Sequence, residues 1–389
     1  LKEPKIELEE LEIIGSLNRP YSFYMKDKSI KLPDMGQNLT LQTDVDFAPV
    51  NIDTCTKYAK STMPKRIDGQ PDILMKQAIK FGGLIGKEPK NSIFKRAVKI
   101  VEEAWIKRYG MNKFISTKQA LNHIDGLYDF SKPMVRDTSP GFSYKHKFGI
   151  NNKEQIIVNR SSSCKVPIFD IRRESPPGKF CEDMMKYRWE KGILGIPVVA
   201  VAMDCKKVEL LPLHKVKEGD IRLFNAMDVD YNLIQKKIFG YYQAVMVRER
   251  NQGFSQIGIN PQIEFHRLND HMNEIEGKRR ATDFKRFDKS HIEKMIAALH
   301  KTMGNITTDP KLTEDQIKKL FKSMGISYVK RMHVAGDHVY ITNKGHASGS
   351  GITAFLNNYA VEVATVYCML RFIGEYKEDF VDIEQSELY

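Results

Sequence analysis

Cysteine is scarce and scattered in this chain. Cys55, Cys164, Cys181, Cys205 and Cys368 are odd in number, show no CxxC spacing and have no histidine pair at ligand distance. That pattern excludes a zinc ribbon or a disulfide framework as the organising element, and the thiols read as free, as in a reducing cytosol. Long apolar runs are missing too. The most apolar stretch, Val361 to Phe372, is interrupted by Glu362 and Arg371. It reads as a buried helix, because a membrane span needs about 20 apolar residues in succession. The first residues lack the basic, apolar, then small-residue order of a signal peptide, and no internal repeat or low-complexity tract occurs.

Positive charge is abundant. Lysine and arginine number 61 against 49 acids, a net charge of +12 over 389 residues. Such a balance suits a polyanion whose phosphates exchange small cations for basic side chains, and also an acidic membrane surface. The chain is long enough to bury a sizeable core in two or three lobes.

Two segments concentrate chemistry. Gly345-His346-Ala347-Ser348-Gly349-Ser350-Gly351 runs directly into the apolar helical pattern that starts near Thr353. Glycines permit close approach, and a loop of this kind before a helix N-terminus suits phosphate or sugar contacts. Upstream, Thr282 to Ser290 places Asp283 and Asp288 five apart in an alternating apolar and basic run. Asp283 is expected to end a strand. Asp288 is expected to open the following helix, in which Ile292, Met295, Ile296 and Leu299 recur on one face. A carboxylate at a strand end is a rigid ligand for a hard cation such as Mg²⁺.

In this order the two segments resemble motifs A and B of viral RNA-dependent RNA polymerases. Asp-x4-Asp is present as Asp283 and Asp288, and Ser-Gly-x3-Thr-x3-Asn as Ser348, Gly349, Thr353 and Asn357. Arg136 to Phe142 resembles motif G, a turn at the template entrance. Lys206, Lys207, Lys215, Lys217 and Arg222 resemble motif F, interleaved with apolar residues that suggest a partly packed ribbon. Gly258-Ile259-Asn260-Pro261 is similar to a segment of picornavirus-like polymerases between motifs F and A. The resemblance covers about Asp137 to Asn358.

The resemblance implies an α+β, right-hand polymerase fold and template-directed RNA synthesis in viral genome replication, with nucleotidyl transfer from nucleoside triphosphates to an RNA 3′ end. By it, Asp283 is catalytic and binds two Mg²⁺ or Mn²⁺ ions. Lys207, Lys215, Lys217 and Arg222 hold the triphosphate. Asp288, Ser348, Thr353 and Asn357 read the ribose, whose 2′-OH separates RNA from DNA building blocks. Thr138, Ser139, Gly141 and Gly349 line the template path. The implied partners are an RNA template and primer, nucleoside triphosphates and, by analogy, a protein primer and other viral replication proteins. The implied setting is the host cytoplasm, extending by analogy to membrane-associated replication complexes.

One departure stands out: the family's Gly-Asp-Asp turn, motif C, has no counterpart, since no Asp-Asp pair follows Asn358. The start at Leu1 and the polar run Glu375 to Asp382 after the last helical pattern suggest a polyprotein piece cut just before that turn. Two-metal transfer needs carboxylates from two places, so the expectation is an incomplete active site and a missing thumb. His266, His271 and His291 flank motif A and read as surface or core histidines, since metals and positioned phosphates drive this reaction.

The remaining organisation is coarser. Residues 1–80, with acidic Glu7 to Glu12 and turn signals at Pro33-Asp34, Pro64 and Asp68-Gly69, read as irregular: either an N-terminal extension or fingertip segment, or the tail of a preceding polyprotein product. Residues 81–225 are expected to form the fingers with motifs G and F. The palm with motif A is placed at 226–300, a connection at 301–344, and the motif B part of the palm at 345–389. Helices are expected up to about Gly149, for example through Ile93, Ala97, Ile100, Val101 and Ala104. Strands such as Gly195 to Ala202 are expected from 156 to 225. Two other classes are weighed. One is an RNA-binding module without chemistry. The other is a phosphate-loop NTPase on Gly345 to Thr353, disfavoured because no lysine follows the final glycine.

Overall fold

A computed structural model of the protein describes residues 11–16, 58–60, 74, 77, 88–161, 167–250, 253–274, 284, 287–336, 338–342 and 344–376. Asp283, the thiols Cys55 and Cys164, and residues 377–382 of the polar run lie outside them. The main helices are α1 (Asn91–Tyr109), α2 (Pro176–Ile193), α3 (Val229–Arg248), α4 (Pro261–Glu274), α5 (Glu293–Asn305), α6 (Glu314–Val329) and α7 (Thr353–Tyr376). The main sheet contains β1 (Leu11–Ser16), β2 (Val201–Lys206), β3 (Leu223–Met227), β4 (Met332–Ala335) and β5 (His338–Thr342), in the order β1-β5-β4-β2-β3. β4 and β2 run parallel and the other neighbours antiparallel.

The helices cohere through aromatic packing. α1 buries Phe94, Ala97, Ile100, Val101, Trp105 and Tyr109 along one face. Its stripe is thus shifted from the expected Ile93 and Ala104, because the large rings at 94 and 105 take the inward positions. Trp105 packs on Tyr242 of α3 and on Phe355 and Tyr359 of α7, with ring centroids 5.1–5.6 Å apart. Its indole N–H donates to the buried Glu362 carboxylate at 2.8 Å. Tyr242 donates its hydroxyl proton to the Trp105 carbonyl at 3.0 Å. Buried aromatics carry large apolar area and need such polar partners, so α7 is held against α1 and α3 by both terms.

Several local expectations are corrected. Gly195 to Ala202 is not one strand: Gly195 ends α2 with φ +79, Pro197 follows, and pairing begins only at Val201. The stretch between 171 and 195 is dominated by α2, opened by Ser175, whose hydroxyl accepts from the Gly178 N–H at 3.2 Å, and by Pro176 at the first helical position. Asp288 does not open the helix after it. It sits in the short turn Phe287–Ser290, while α5 starts separately at Glu293 with Ile292 as its cap. The last helix runs through Tyr376, so Glu375 and Tyr376 belong to α7 and not to a loop. Within the segment 1–80, Leu11–Ser16 is a paired edge strand, against the irregular reading. Among the described residues no helix is long and apolar enough to cross a membrane. Cys181, Cys205 and Cys368 are free thiols.

Candidate nucleotide and template site

Strand β3 is the place where separate sequence motifs meet. Just before its first residue, Arg222 offers its carbonyl to the Lys207 N–H at 2.8 Å, closing the mouth of the β2–β3 ribbon. In its middle, Asn225 and Ala226 take the loop before α7. The Ser348 N–H donates to the Asn225 side-chain oxygen at 3.2 Å, and the Asn225 N–H donates to the Ser348 hydroxyl at 3.3 Å. Ala226 and Gly349 form a parallel bridge. A β-carbon on Gly349 would lie 2.2 Å from the Asn225 carbonyl oxygen, so the glycine is demanded by this backbone contact. Beyond its last residue, Asp228 accepts from the Ser143 N–H at 3.1 Å and from the Ser143 hydroxyl at 2.5 Å. A β-carbon on Gly141, at φ +99, would collide with Asp228, and the Val229 N–H donates to the Pro140 carbonyl at 2.9 Å.

The strand is anchored from below by a buried carboxylate. Asp204 on β2 accepts from Asn225 Nδ2 at 2.6 Å, from the Tyr340 hydroxyl at 2.5 Å and from His333 Nδ1 at 2.9 Å. Burial opposes its charge, but His333, Tyr340 and Asn225 together hold it below the usual carboxylate range. Asn225 is thereby fixed in the orientation that receives Ser348.

The turn that carries Asp288 is clipped to the same loop. The Gly345 N–H donates to the His291 carbonyl and the His346 N–H to the Asp288 carbonyl, both at 2.7 Å. His291 Nε2 lies 2.9 Å from Asn357 Oδ1, and His346 stands edge-on to His291 with centroids 4.9 Å apart. Burial pushes the His291 imidazole down to about 4 and the His346 imidazole down to about 3, so both are neutral near pH 7. Beneath the loop, buried Arg331 donates to the carbonyls of Tyr328 at 2.9 Å and Gly345 at 3.1 Å. The Thr353 hydroxyl turns back, donating to the Ser350 carbonyl at 2.9 Å and the Ala347 carbonyl at 3.1 Å. Its oxygen can still accept a hydrogen bond from a ligand. On the other flank, Lys289 donates to the Gln77 carbonyl at 3.1 Å, and the Gln77 amide donates to the Gly219 carbonyl at 3.0 Å. That relay joins the Asp288 turn to the basic ribbon.

The ribbon's cations are more exposed. Lys207 and Arg222 share Glu209, at 3.5 and 3.2 Å, with about half or more of each basic side chain in solvent. Lys215 is exposed, and Lys217 closes the same short helix, Leu213–Lys217. The interleaved apolar residues divide between inside and outside: Leu211, Val216, Ile221 and Leu223 are buried, while Val208 and Leu210 are exposed. The ribbon is thus partly packed, with Lys207 and Lys215 exposed.

A cavity of about 640 Å³ opens beside the Gly349 loop. Its walls include Lys132, Lys153, Lys236, Gly258, Gly349 and Asn358. Lys153 also bonds to the Thr138 hydroxyl. Burial pulls both Lys153 and Lys236 down to about 8. Thr138 and Ser139 themselves sit on the exposed and half-buried rim of this turn.

The model of the viral RNA-dependent RNA polymerase family matches residues 88–385, well over half of the chain. The chain belongs to that family. Its relatives include the RNA1 polyprotein of Andean potato mottle virus, 22% identical over 67% of this chain, and that of Grapevine fanleaf virus, 26% identical over 68%. The genome polyprotein of Rice tungro spherical virus (strain A) is 24% identical over 63%. The chain spans only 34%, 11% and 7% of those three polyproteins. Among solved structures, the sicinivirus 3Dpol RNA dependent RNA polymerase superposes with a TM-score of 0.62 at 18% identity, over 85% of this chain and 62% of that one. The fold is therefore that of a right-hand polymerase, mixed in helix and strand.

Within this polymerase-family fold, the motif residues Asp288, Ser348, Thr353, Asn357, Gly349 and Gly141 all lie on elements tied to β3 or to one another. Asp283 is outside the described residues, and among those that are described no group of three or more His, Cys, Asp and Glu side chains could hold a metal ion. Sequence reasoning missed Asn225, Gln77 and His291. Each contacts its motif partner from 66 to 212 residues away, and only His291 had been noticed, as a surface or core histidine.

Proposed function

We propose that this chain forms the nucleotide-reading and template-entry part of a viral RNA polymerase that joins ribonucleoside triphosphates to an RNA 3′ end. The observation that supports this best is the convergence on β3 of a cation-bearing ribbon, a sugar-reading loop and a template turn. One nucleotide could touch the first two while its template base enters past the third. Lys207, Lys215, Lys217 and Arg222 would neutralise the triphosphate. The Glu209 pairs of Lys207 and Arg222, whose basic side chains are about half or more exposed, are of the solvent-screened kind worth about 0–1 kcal/mol, so phosphate can take them over at little cost. Asp288, Ser348, Thr353 and Asn357 would read the ribose, and the cavity beside Gly349, joined to the turn of Thr138, Ser139 and Gly141 through the bond of its wall residue Lys153 to Thr138, would pass the template strand.

Polymerases of this family use divalent metal ions, and here Asp283 would hold them, as Mg²⁺ or Mn²⁺. When bound, the metals supply activation of the 3′-hydroxyl and stabilisation of the leaving pyrophosphate. The chain's own residues position the triphosphate and sugar. By the same reading, residues 81–225 are fingers, 226–300 and 345–389 are palm, and 301–344 connects them. Residues 1–80 are an extension or fingertip segment. A protein primer, other replication proteins and a cytoplasmic, membrane-associated setting complete the proposal.

The test uses the complete polymerase that contains this chain. Asp283→Ala should abolish nucleotide incorporation while RNA binding stays within about threefold, since binding is carried by basic residues and not by metal ligands. Retained incorporation would remove the catalytic assignment.

A further inference from the structure

The reading of the sugar by Asn357 leaves open which end of its amide faces the nucleotide, and the packing beneath it decides that. Asn357 lies one turn inside α7, half-buried, with its Oδ1 2.9 Å from His291 Nε2. For that contact to be a hydrogen bond the imidazole nitrogen must carry the proton and donate to the amide oxygen. The buried His346 ring also interacts with the Asn357 side chain in the sense of a ring N–H donor, so both imidazoles address the amide oxygen and the NH₂ is the end left to meet a ligand. His291 cannot swing away easily. It is 4% exposed, wedged between the rings of Phe287 at 4.6 Å and His346 at 4.9 Å, and its own carbonyl is bonded to Gly345. The next-turn neighbour Asp288 is held by its carbonyl to His346. The carboxylate and the amide thus belong to one clipped unit.

We infer that His291 is a positioning residue for sugar selection: by donating to Asn357 Oδ1 it turns the amide NH₂ toward the ribose. This rests on the reading that Asn357 and Asp288 face the nucleotide sugar. A 2′-hydroxyl both accepts and donates. An NH₂ that donates to its oxygen and a carboxylate that accepts its proton recognise it from two sides, and a deoxyribose satisfies neither. Without the imidazole donor the amide is free to flip and present its carbonyl, which competes with the Asp288 carboxylate for the same proton. His291 touches no substrate atom in this scheme; it acts through Asn357.

The experiment measures kcat and KM for ATP and dATP with the complete polymerase and its variants. His291→Phe keeps the ring packing and removes the donor. His291→Gln keeps an N–H at similar reach, and His291→Asn is polar but too short. The ATP-over-dATP preference should fall about tenfold in His291→Phe, the worth of one hydrogen bond, chiefly through a higher KM for ATP with dATP unchanged. It should fall similarly in His291→Asn and return to within about threefold in His291→Gln, judged against that same one-bond scale. Equal losses for ATP and dATP, or a His291→Gln enzyme no more selective than His291→Phe, overturn the inference. The His291→Asn and His291→Gln pair preserves the test if the phenylalanine variant does not fold. Asn357→Ala separates the levels. If it leaves the preference unchanged, the sugar-reading assignment itself is wrong; if it lowers the preference and the His291 variants do not, only the positioning role is.

Discussion

The glycine loop before α7 and the cationic ribbon meet at β3 yet are built in opposite ways. The loop around Ser348 to Asn357 is fixed by short bonds from buried groups: Asn225 to Ser348, His291 to Asn357, Arg331 to Gly345. The ribbon carries Lys207, Lys215 and Arg222 in solvent, with Glu209 as a counter-ion shared by Lys207 and Arg222. Under the proposed function the difference follows from what each would recognise. Telling a ribose from a deoxyribose depends on hydrogen bonds that fail when displaced by a fraction of an ångström, so the groups must be preorganised. A triphosphate is held largely by charge, which acts over several ångströms and tolerates mobile side chains.

The largest break should come from the rigid side. Gly349→Ala places a methyl 2.2 Å from the Asn225 carbonyl oxygen, a backbone atom that cannot yield without moving β3. The expected cost is about 3 kcal/mol or more, with loss of incorporation, read by denaturant unfolding of the complete polymerase. An unchanged midpoint would mean that the loop and strand are not locked together.

Next in size is a pH effect at the other end of β3. Burial first, and the neighbouring Asp230 second, push the Asp228 carboxyl well above the usual carboxylate range. Asp230 itself is paired with buried Arg188 at 2.5 Å, so Asp228 is the member that keeps the proton. A raised native pKa means that the folded state binds more protons than the unfolded one from about pH 4 toward neutrality. Its stabilising contribution is therefore present at acid pH and lost as pH rises through that window. Asp228→Asn should flatten the dependence and be more stable than the parent at pH 8, by on the order of 1–3 kcal/mol. Unfolding curves at pH 5 and pH 8 decide this, and a parallel dependence in both proteins would contradict it.

Smaller effects belong to the mobile side. Lys215→Ala or Arg222→Ala should raise KM for nucleoside triphosphates by roughly three- to tenfold while stability changes by less than about 0.5 kcal/mol. Smallest of all, raising ionic strength from about 0.05 to 0.2 M should weaken nucleotide binding through screening yet leave the ATP-over-dATP preference where it was. If salt moved the preference as well, the division between a charge-reading ribbon and a geometry-reading loop would fail.

The same division explains what the sequence discloses. Motif B is legible because its residues are local: Ser348, Gly349, Thr353 and Asn357 lie on one loop and the start of one helix, so their spacing is itself geometry. The α1 stripe was legible for the same reason, apart from a shift of phase toward its large rings. The helix α2 was not foreseen, although Ser175-Pro176 marks its start, because no strong apolar period follows that cap. Gly195 to Ala202 had the composition of a strand, but Pro197 and the exposed Val199 keep its first half out of the sheet. The partners of the site were beyond reach altogether. Nothing near Asn357 points to His291, and nothing near Ser348 points to Asn225; only the tertiary path of the chain brings them together.

The most direct test is a structure of the complete polymerase with ATP bound. The account predicts phosphate oxygens within about 4 Å of the Lys207, Lys215 or Arg222 head groups, and the ribose 2′-OH between the Asp288 carboxylate and the Asn357 amide nitrogen. A nucleotide bound with its sugar turned away from Asn357, or with its phosphates far from the ribbon, would contradict it.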